Sequence, residues 1–213
     1  MVCCKRWSLD AVITVDVASG LLVEARQVPS PNCDDRPAGM SVDLVVIHGI
    51  SLPPGKFGGP WIDALFTNTL NPDVHPFFRE IQGLRVSSHL LIRRDGEIVQ
   101  YVPLQRRAWH AGQSVFQGRE RCNDFSLGIE LEGTDTVPYT ERQYQRLAEV
   151  IQALQRLYPV LTPSRIVGHC DIAPGRKTDP GAVFNWNRLW EICAVEFEQH
   201  QSGAGRAPPC PTY

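Results

Sequence analysis

The sequence lacks a strong excess of charge of either sign and any apolar run long enough to cross a membrane. Its 213 residues carry 21 basic and 23 acidic side chains, a formal net charge of −2. Without a basic surface, nucleic acid is not expected as a partner. No stretch reaches the roughly 20 consecutive apolar residues of a membrane-spanning helix, so no membrane contact is expected either. Asp10 and Asp16 interrupt the apolar run that an export signal requires.

The seven cysteines have neither an even count nor a Cys-x-x-Cys pair. A secreted disulfide framework favours an even set of cysteines. A chain of this length can also bury a core without cross-links. We therefore interpret the cysteines as thiols in a reducing compartment. Together with the interrupted N-terminal segment, they predict a cytoplasmic protein.

The length predicts one domain, over residues 21–200. Residues 1–20 are interpreted as an irregular N-terminal extension and residues 201–213 as a flexible C-terminal tail. Within the domain, strands and helices alternate, which predicts an α/β (α+β) fold with a mixed central sheet flanked by helices. A candidate metal site, described below, is expected at one edge of this sheet.

Local patterns predict the main elements of that fold. Apolar, β-branched runs at 42–48 and 125–131 are typical of buried strands, and a short strand is expected at 21–27. Strand-like runs on either side of Asp95-Gly96 predict a hairpin. A helix is expected over about 141–157, because Thr140 and Gln143 form a capping box before apolar residues at helical spacing. Further helices are expected at 61–68 and 186–199.

Two histidines and one aspartate form a candidate metal site. His48 ends the apolar run LVVIH, His169 ends RIVGH, and Asp179 follows ten residues later in a loop rich in Pro and Gly. Polar residues at the carboxyl ends of buried strands are well placed to line a site. Two imidazoles and a carboxylate suit catalytic zinc, with the fourth position left for water. No short signature such as His-Glu-x-x-His is present, so on spacing alone hydrogen-bonded structural histidines remain an alternative.

Four segments resemble the AmpD-type N-acetylmuramoyl-L-alanine amidases. They occur in the family's order, and the similarity covers about residues 20–190. The segments are VVIHGISLPPGKFGGPWIDALF, VSSHLLIRRDGEIVQYVP, RAWHAGQSVFQGRERCNDFSLGIELEGTD and GHCDIAPGRKTDPG. The resemblance implies a mixed central sheet packed by helices, in a wider fold shared with phage lysozyme-type amidases and peptidoglycan recognition proteins.

The resemblance also implies the roles of the site residues. It assigns one Zn²⁺ per chain to His48, His169 and Asp179, and the catalytic pair to Glu130 and Lys177. Burial in an apolar strand would raise the pKa of Glu130 and make it an effective general base. The Lys177 cation would stabilise the oxyanion that forms on the substrate.

Glu132 is the rival to Glu130, because residues two apart in a strand share a face. Spacing cannot choose between the two acids, and the resemblance favours Glu130. Without the resemblance, a salt bridge for Glu130 and a solvated loop charge for Lys177 would be the simpler interpretations.

Substrate contacts are also implied by the resemblance. Trp109 would form an apolar wall, and Arg85 and Arg121 would bind carboxylates of the stem peptide. The alternative is a core tryptophan and two ordinary surface charges. Gly49 departs from the family, whose members usually carry an asparagine there that touches the substrate. This departure concerns one substrate hydrogen bond and not the zinc ligands.

Other histidines and one cysteine lie near these motifs. His110 follows Trp109 and is expected near the cleft, whereas His89 and His75 are interpreted as structural. Cys170 adjoins His169, but neighbouring residues of an extended segment point to opposite sides. We therefore leave Cys170 outside the predicted coordination shell.

The function that follows is zinc-dependent hydrolysis of an amide in a small soluble muropeptide. The resemblance implies that the bond cleaved joins the lactyl group of 1,6-anhydro-N-acetylmuramic acid to L-alanine of the stem peptide. The resemblance implies a role in cytoplasmic peptidoglycan recycling and in removing the fragments that induce β-lactamase. We expect a monomer. The alternatives are an amidase acting on intact peptidoglycan and a non-catalytic peptidoglycan-binding protein, which would lack part of the zinc shell.

Overall fold

The computed structural model describes the backbone of residues 12–203 and the side chains of residues 12–194. The strands are β1 (Val15–Asp16), β2 (Leu21–Leu22), β3 (Arg26–Gln27), β4 (Cys33–Asp34), β5 (Leu44–Ile50), β6 (Leu90–Ile92), β7 (Ile98–Gln100), β8 (Arg107–Ala108), β9 (Val115–Phe116), β10 (Arg119–Glu120), β11 (Ser126–Glu132) and β12 (Ile166–Gly168). The helices are α1 (Trp61–Phe66), α2 (Pro76–Glu80), α3 (Glu141–Leu157), α4 (His169–Ile172) and α5 (Trp186–Gly203).

A six-stranded mixed sheet organises these elements, in the order β12-β5-β11-β6-β7-β3. Strands β12, β5, β11 and β6 run parallel to one another, and β7 returns antiparallel to β6. The prediction of a mixed central sheet flanked by helices is confirmed. Because four neighbouring strands are parallel, their carboxyl ends meet at one edge of the sheet, where side chains from different strands can form a site.

Helices α3 and α5 cover one face of the sheet and pack against each other. Alternate residues of β5 and β11 point into this core, since successive strand side chains point to opposite faces. Burying each of these aliphatic side chains contributes about 1.5–3 kcal/mol. The core on this side includes Val45, Ile47, Ile129, Leu147 and Ile151.

The same alternation sends polar residues of β5 and β11 to the opposite face of the sheet. Glu130 pairs in register with His48 on the neighbouring parallel strand, so the two side chains lie side by side. Beyond them, α1 and α2 close a second apolar cluster against β6 and β7. The alternation of side chains along β5 and β11 therefore determines which face of the sheet carries the candidate site.

The predicted hairpin and the predicted helix cap are both confirmed. Strand β6 pairs antiparallel with β7 around the Asp95-Gly96 turn, where Gly96 adopts φ of 89°. At the start of α3, the Gln143 N–H donates to Thr140 Oγ1 at 3.2 Å, and the Thr140 N–H donates to Gln143 Oε1 at 3.0 Å. The Gln143 amide also donates to the Ile92 and Glu132 carbonyls, which joins the helix to two strands.

Residues 12–20 differ from the expectation of an irregular N-terminal extension, and residues 1–11 of that predicted extension lie outside the described residues. Strand β1 pairs antiparallel with β2, and Ile13 is only 2% exposed within the main core. The run 21–27 forms two short strands with a turn between them, because Leu22 turns inward to that same core. The predicted tail falls partly on α5, which continues to Gly203, and partly on 204–213, which lie outside the described residues. The domain boundaries stay a prediction.

Among the helices of the described residues, none combines the length and the apolar composition that spanning a bilayer requires.

Candidate metal centre and active-site cleft

Three donor atoms from separate elements converge at the carboxyl edge of the sheet. His48 lies on β5, His169 is the first residue of α4, and Asp179 lies in the loop after α4. The Nδ1 atoms of the two imidazoles are 3.0 Å apart. Asp179 Oδ2 lies 3.2 Å from Nδ1 of His48 and 3.1 Å from Nδ1 of His169. The structure thus brings together the three predicted ligands.

Two hydrogen bonds to backbone carbonyls fix the loop that carries Asp179. The Cys170 N–H donates to the Asp179 carbonyl at 3.0 Å, and the Tyr139 hydroxyl donates to the Pro180 carbonyl at 2.9 Å. Burial acts to raise the pKa of Asp179, but its close contacts with His169 and His48 outweigh burial and hold the pKa below its ordinary value. The carboxylate is therefore ionised and available as a ligand.

The three side chains fit zinc. Ligands about 2.0–2.1 Å from a tetrahedral zinc ion lie about 3.3 Å from one another, close to the 3.0–3.2 Å separations here. Burial lowers the pKa of His48 to about 4, so its imidazole is neutral, as a metal ligand must be. Two imidazole nitrogens and one carboxylate match the three-ligand sets of catalytic zinc.

Glu130 lies beside this cluster on the same face of the sheet. The residue is 8% exposed, and its Oε2 has no hydrogen-bond partner among the described residues. Burial, reinforced by the charge of Asp179 and opposed by that of Lys177, raises the pKa of Glu130 well above its ordinary value. A buried carboxylate oxygen without a partner is costly. It fits a group that exchanges protons with solvent or substrate in the site.

Glu132 has hydrogen-bond and ion-pair partners that explain its burial without a catalytic role. Its carboxylate accepts from the Gly58 N–H at 2.6 Å and the Arg94 N–H at 3.3 Å, and Arg93 lies 3.5 Å away. These bonds join the loop after β5 to the sheet. The contrast with Glu130 favours Glu130 as the general base, and that role stays a prediction.

A cleft of about 590 Å³ opens over the three donor atoms. Its polar lining residues include the candidate ligands with Glu130 and Lys177. The cleft also has an apolar lining, because α1, α2 and the loops around them supply Leu52, Leu65, Phe66, Phe77, Ile81 and Leu84. The cleft therefore suits a substrate that combines a polar reacting group with an apolar surface.

Comparison with known proteins gives the family of this chain. The family profile described as N-acetylmuramoyl-L-alanine amidase matches residues 38–182, which include all three donors and both predicted catalytic residues. This chain belongs to the N-acetylmuramoyl-L-alanine amidase family. The predicted family and the prediction of a hydrolase of the amidase class are confirmed.

Two relatives of this amidase carry the name 1,6-anhydro-N-acetylmuramyl-L-alanine amidase AmpD. The protein from Salmonella typhimurium (strain SL1344) is 64% identical over 183 residues, which cover 86% of this chain and 97% of the relative. The Escherichia coli (strain K12) protein is 66% identical over 177 residues, or 83% of this chain and 96% of the relative.

Solved structures share the fold of this amidase. A crystal structure of a selenomethionine derivative of AmpD superposes with a TM-score of 0.82 at 61% identity and covers 84% of this chain and 99% of that one. The amidase AmiD from Escherichia coli, in complex with the substrate anhydro-N-acetylmuramic acid-L-Ala-D-gamma-Glu-L-Lys, has a TM-score of 0.53 at 29% identity. It covers 84% of this chain and 70% of that one.

In this chain, the three predicted substrate-binding residues do not line the main cleft; they are Arg85, Trp109 and Arg121. Arg85 is exposed and lines a smaller neighbouring pocket that shares Leu65, Ile81 and Leu84 with the cleft. The Trp109 indole N–H donates to Asp34 Oδ1 at 3.1 Å. Arg121 is exposed and its Nε lies 3.3 Å from Asp124. Their substrate contacts stay predictions.

The remaining polar candidates have structural partners. His75 caps α2, since its Nδ1 accepts from the Phe77 N–H at 3.2 Å. Cys170 lies on the helical turn of α4 rather than on an extended segment, and the three-residue donor cluster does not include it. The argument from strand alternation was therefore wrong for Cys170, although its exclusion from the cluster agrees with the structure.

Tyr139 was not predicted as a neighbour of the ligands, whereas His110 was expected near the cleft and lines it. Tyr139 lies over Gly49 and Gly133, where an added Cβ would meet the tyrosine at 2.5 and 2.4 Å. His110 contacts His48 directly, with Nδ1 of His110 2.9 Å from Nε2 of His48. A glycine within a buried strand often marks the close approach of another group. Gly49, near the carboxyl end of β5, was therefore the available signal for Tyr139.

Proposed function

We propose that this amidase, with one Zn²⁺ held by His48, His169 and Asp179, cleaves anhydromuramyl peptides. The bond cleaved joins the lactyl group of 1,6-anhydro-N-acetylmuramic acid to L-alanine of the stem peptide. The observation that carries the proposal is the convergence of three zinc-type donors beside an unpartnered buried carboxylate. The names of the AmpD relatives at 64–66% identity support the substrate.

Two residues of the chain carry the proposed proton and charge chemistry. Zinc, when bound, would lower the pKa of a water molecule and polarise the amide carbonyl. Glu130 takes the proton from the attacking water through its free oxygen and passes it to the amide nitrogen of the leaving L-alanine. Lys177, which lines the same cleft, stabilises the negative charge that develops on the carbonyl oxygen.

The shape of the cleft supports a small muropeptide as substrate. The polar lining residues of the cleft receive the scissile amide, and its apolar lining residues contact nonpolar parts of the sugar or of the stem peptide. A solved structure of the AmiD relative is a complex with the substrate anhydro-N-acetylmuramic acid-L-Ala-D-gamma-Glu-L-Lys, which has the same kind of linkage. Arg85, Trp109 and Arg121 are the proposed outer contacts, with the arginines pairing carboxylates of the stem.

The proposed setting is cytoplasmic peptidoglycan recycling by a monomer, without a nucleic-acid or membrane partner. Cys33, Cys122 and Cys170 carry thiols, and thiols fit a reducing compartment. Removing anhydromuramyl peptides there would also remove the fragments that induce β-lactamase, as the family resemblance implies.

Mass spectrometry of reaction products tests the proposal. The purified full chain is given anhydromuramyl tripeptide or intact sacculi, with and without a zinc chelator. We expect free tripeptide and anhydro-N-acetylmuramic acid from the soluble substrate, and no products after chelation. Faster release from sacculi would favour the alternative of an amidase for intact peptidoglycan. Binding without products, in protein loaded with zinc, would favour a peptidoglycan-binding protein.

Variants of the site complete the test. Asp179→Ala should lose zinc and activity together, because a ligand must be deprotonated and present for the metal to bind. Cys170→Ser is the matched control, since Cys170 neighbours His169 in sequence and lies outside the donor cluster. Full turnover by Asp179→Ala would overturn the proposed zinc site.

A further inference from the structure

A buried serine fixes the direction of a hydrogen-bond chain that reaches the candidate metal centre. Ser126 is fully buried at the start of β11, and its Oγ lies 2.6 Å from the Cys122 carbonyl oxygen. A carbonyl only accepts, so the Ser126 hydroxyl proton is committed to Cys122. Towards any other group, Ser126 Oγ can therefore act only as an acceptor.

This commitment determines the tautomer of His110. Nε2 of His110 lies 3.2 Å from Ser126 Oγ, and since that oxygen can only accept, Nε2 must carry the proton. Among the described residues, the ring nitrogens of His110 have Ser126 and His48 as hydrogen-bond partners and no carboxylate that would hold a second proton on the ring. The neutral ring holds one proton only. Nδ1 of His110 is therefore a bare acceptor.

The tautomer of His110 in turn orients His48. Nδ1 of His110 lies 2.9 Å from Nε2 of His48, so Nε2 of His48 must be the donor. Nδ1 of His48, on the other side of the ring, is then left with a free lone pair. That atom is the one 3.2 Å from Asp179 Oδ2, at the candidate metal centre.

His169 shows the same arrangement with a simpler partner. Its Nε2 lies 3.2 Å from the Ala111 carbonyl oxygen, so Nε2 donates, and in the neutral ring that a metal ligand requires Nδ1 is left as the acceptor. Both imidazoles therefore present Nδ1 lone pairs to one point. One is oriented by a backbone carbonyl directly, and the other reaches a backbone carbonyl only through His110 and Ser126.

The surrounding chain is built to hold the His110 ring in this position. An added Cβ at Gly128 would lie 2.5 Å from Cγ and 2.7 Å from Nδ1 of His110, so any other residue at that position of β11 would displace the ring. Asn123 Oδ1 accepts from the N–H groups of His110 and Ala111, at 3.1 and 2.8 Å. Both the ring and its backbone are thus fixed.

We propose that His110 is a positioning residue of the metal centre. Through its hydrogen bond to His48, His110 holds His48 in the tautomer that presents Nδ1 to the ion. The tautomer of His110 is in turn fixed by Ser126, whose hydroxyl donates to the Cys122 carbonyl. The inference rests on the proposed zinc site. Groups that orient a ligand imidazole typically contribute 10–100-fold in metal affinity.

Zinc affinity of three variants tests the proposal. In the full chain, His110→Leu keeps bulk but removes the acceptor, and we expect zinc binding about 10–100-fold weaker in competition with a chelator. His110→Asn offers Oδ1 near the place of Nδ1 and should recover most of that loss. Ser126→Ala frees His110 to adopt either tautomer and should weaken binding less than His110→Leu. His75→Asn, which changes a histidine that caps α2, is the control.

Nitrogen NMR of the histidine rings gives a second readout that needs no variant. In the zinc-loaded full chain and after zinc removal, we expect a protonated Nε2 and a bare Nδ1 for His110. A His110 protonated at Nδ1, or His110→Leu that binds zinc as tightly as the unchanged chain, would overturn the proposal. If His110→Leu does not fold, the NMR result and Ser126→Ala still decide. Loss of zinc in Asp179→Ala with no loss in His110→Leu would leave the zinc site standing and refute only this role.

Discussion

Glu130 and Glu132 lie two residues apart on one strand, and exchanging each for glutamine should affect different properties of the protein. The Glu132 carboxylate accepts from two backbone N–H groups and pairs with Arg93. The Glu130 carboxylate has one oxygen without a partner among the described residues. Glu132→Gln should therefore reduce stability, whereas Glu130→Gln should reduce turnover.

The magnitude for Glu132→Gln follows from its bonds. Glutamine offers one acceptor oxygen in place of two, so one charge-assisted hydrogen bond is lost, and each such bond contributes about 1.5–3 kcal/mol. Arg93 keeps Asp63 at 3.3 Å and Glu97 at 3.2 Å, so it is not left as an unpaired buried charge. We expect a loss of about 2–3 kcal/mol in the free energy of unfolding, or about 4–12 °C in Tm.

Glu130→Gln should have the opposite effect on stability. The folded-state pKa of Glu130 is raised, chiefly by burial, so the folded protein binds the proton more tightly than the unfolded chain does. The carboxylate then costs stability increasingly as pH rises from the unfolded pKa towards the folded one. Without metal, Glu130→Gln should be at least as stable as the unchanged chain at neutral pH. Its turnover with zinc should fall about 10²–10⁴-fold.

Thermal unfolding with and without chelator, together with product release from anhydromuramyl tripeptide, measures both effects. The reasoning fails if Glu132→Gln keeps its Tm while losing turnover, because the two acids would then have exchanged roles. It also fails if Glu130→Gln retains full activity.

Three further predictions concern the metal, the loop and the substrate. Removing zinc should abolish activity and lower Tm, since an ion present at 100 times its Kd stabilises the folded state by about 2.7 kcal/mol; calorimetry before and after zinc is restored checks this. Tyr139→Phe leaves the Pro180 carbonyl unpaired and should cost about 1–3 kcal/mol in denaturant unfolding. Gly49→Ala should cost less in that background than alone, because its Cβ would lie 2.5 Å from the hydroxyl but 3.8 Å from the ring carbon that bears it. Arg85→Ala should raise KM at least about tenfold if it pairs with a stem carboxylate, whereas Arg79→Ala, an exposed arginine paired with a nearby aspartate, should leave KM unchanged.

Elements governed by local interactions could be predicted from the sequence. The capping box of α3 and the hairpin around Gly96 depend on residues within a few positions of one another, and both agree with the structure. The buried strands β5 and β11 were recognisable from their apolar runs, although their ends moved by one or two residues. Short pairings such as β1 with β2 escaped prediction, since two-residue strands carry too little pattern to detect.

The candidate site was predictable only in part. The three donors were found through strand ends and family resemblance, and they converge in the structure. The contact between His110 and His48 joins residues 62 positions apart. It depends on the path of the chain before β9, which Asn123 holds. No local pattern encodes such a contact, nor the bonds that distinguish Glu132 from Glu130.

The most direct test of the account is an anomalous-difference map at the zinc absorption edge, from crystals of the zinc-loaded, active full chain. The account predicts one peak bonded to Nδ1 of His48, Nδ1 of His169 and a carboxylate oxygen of Asp179, at about 2.0–2.2 Å. A fully active crystal with no peak there, or with its zinc bound by other side chains, would contradict it.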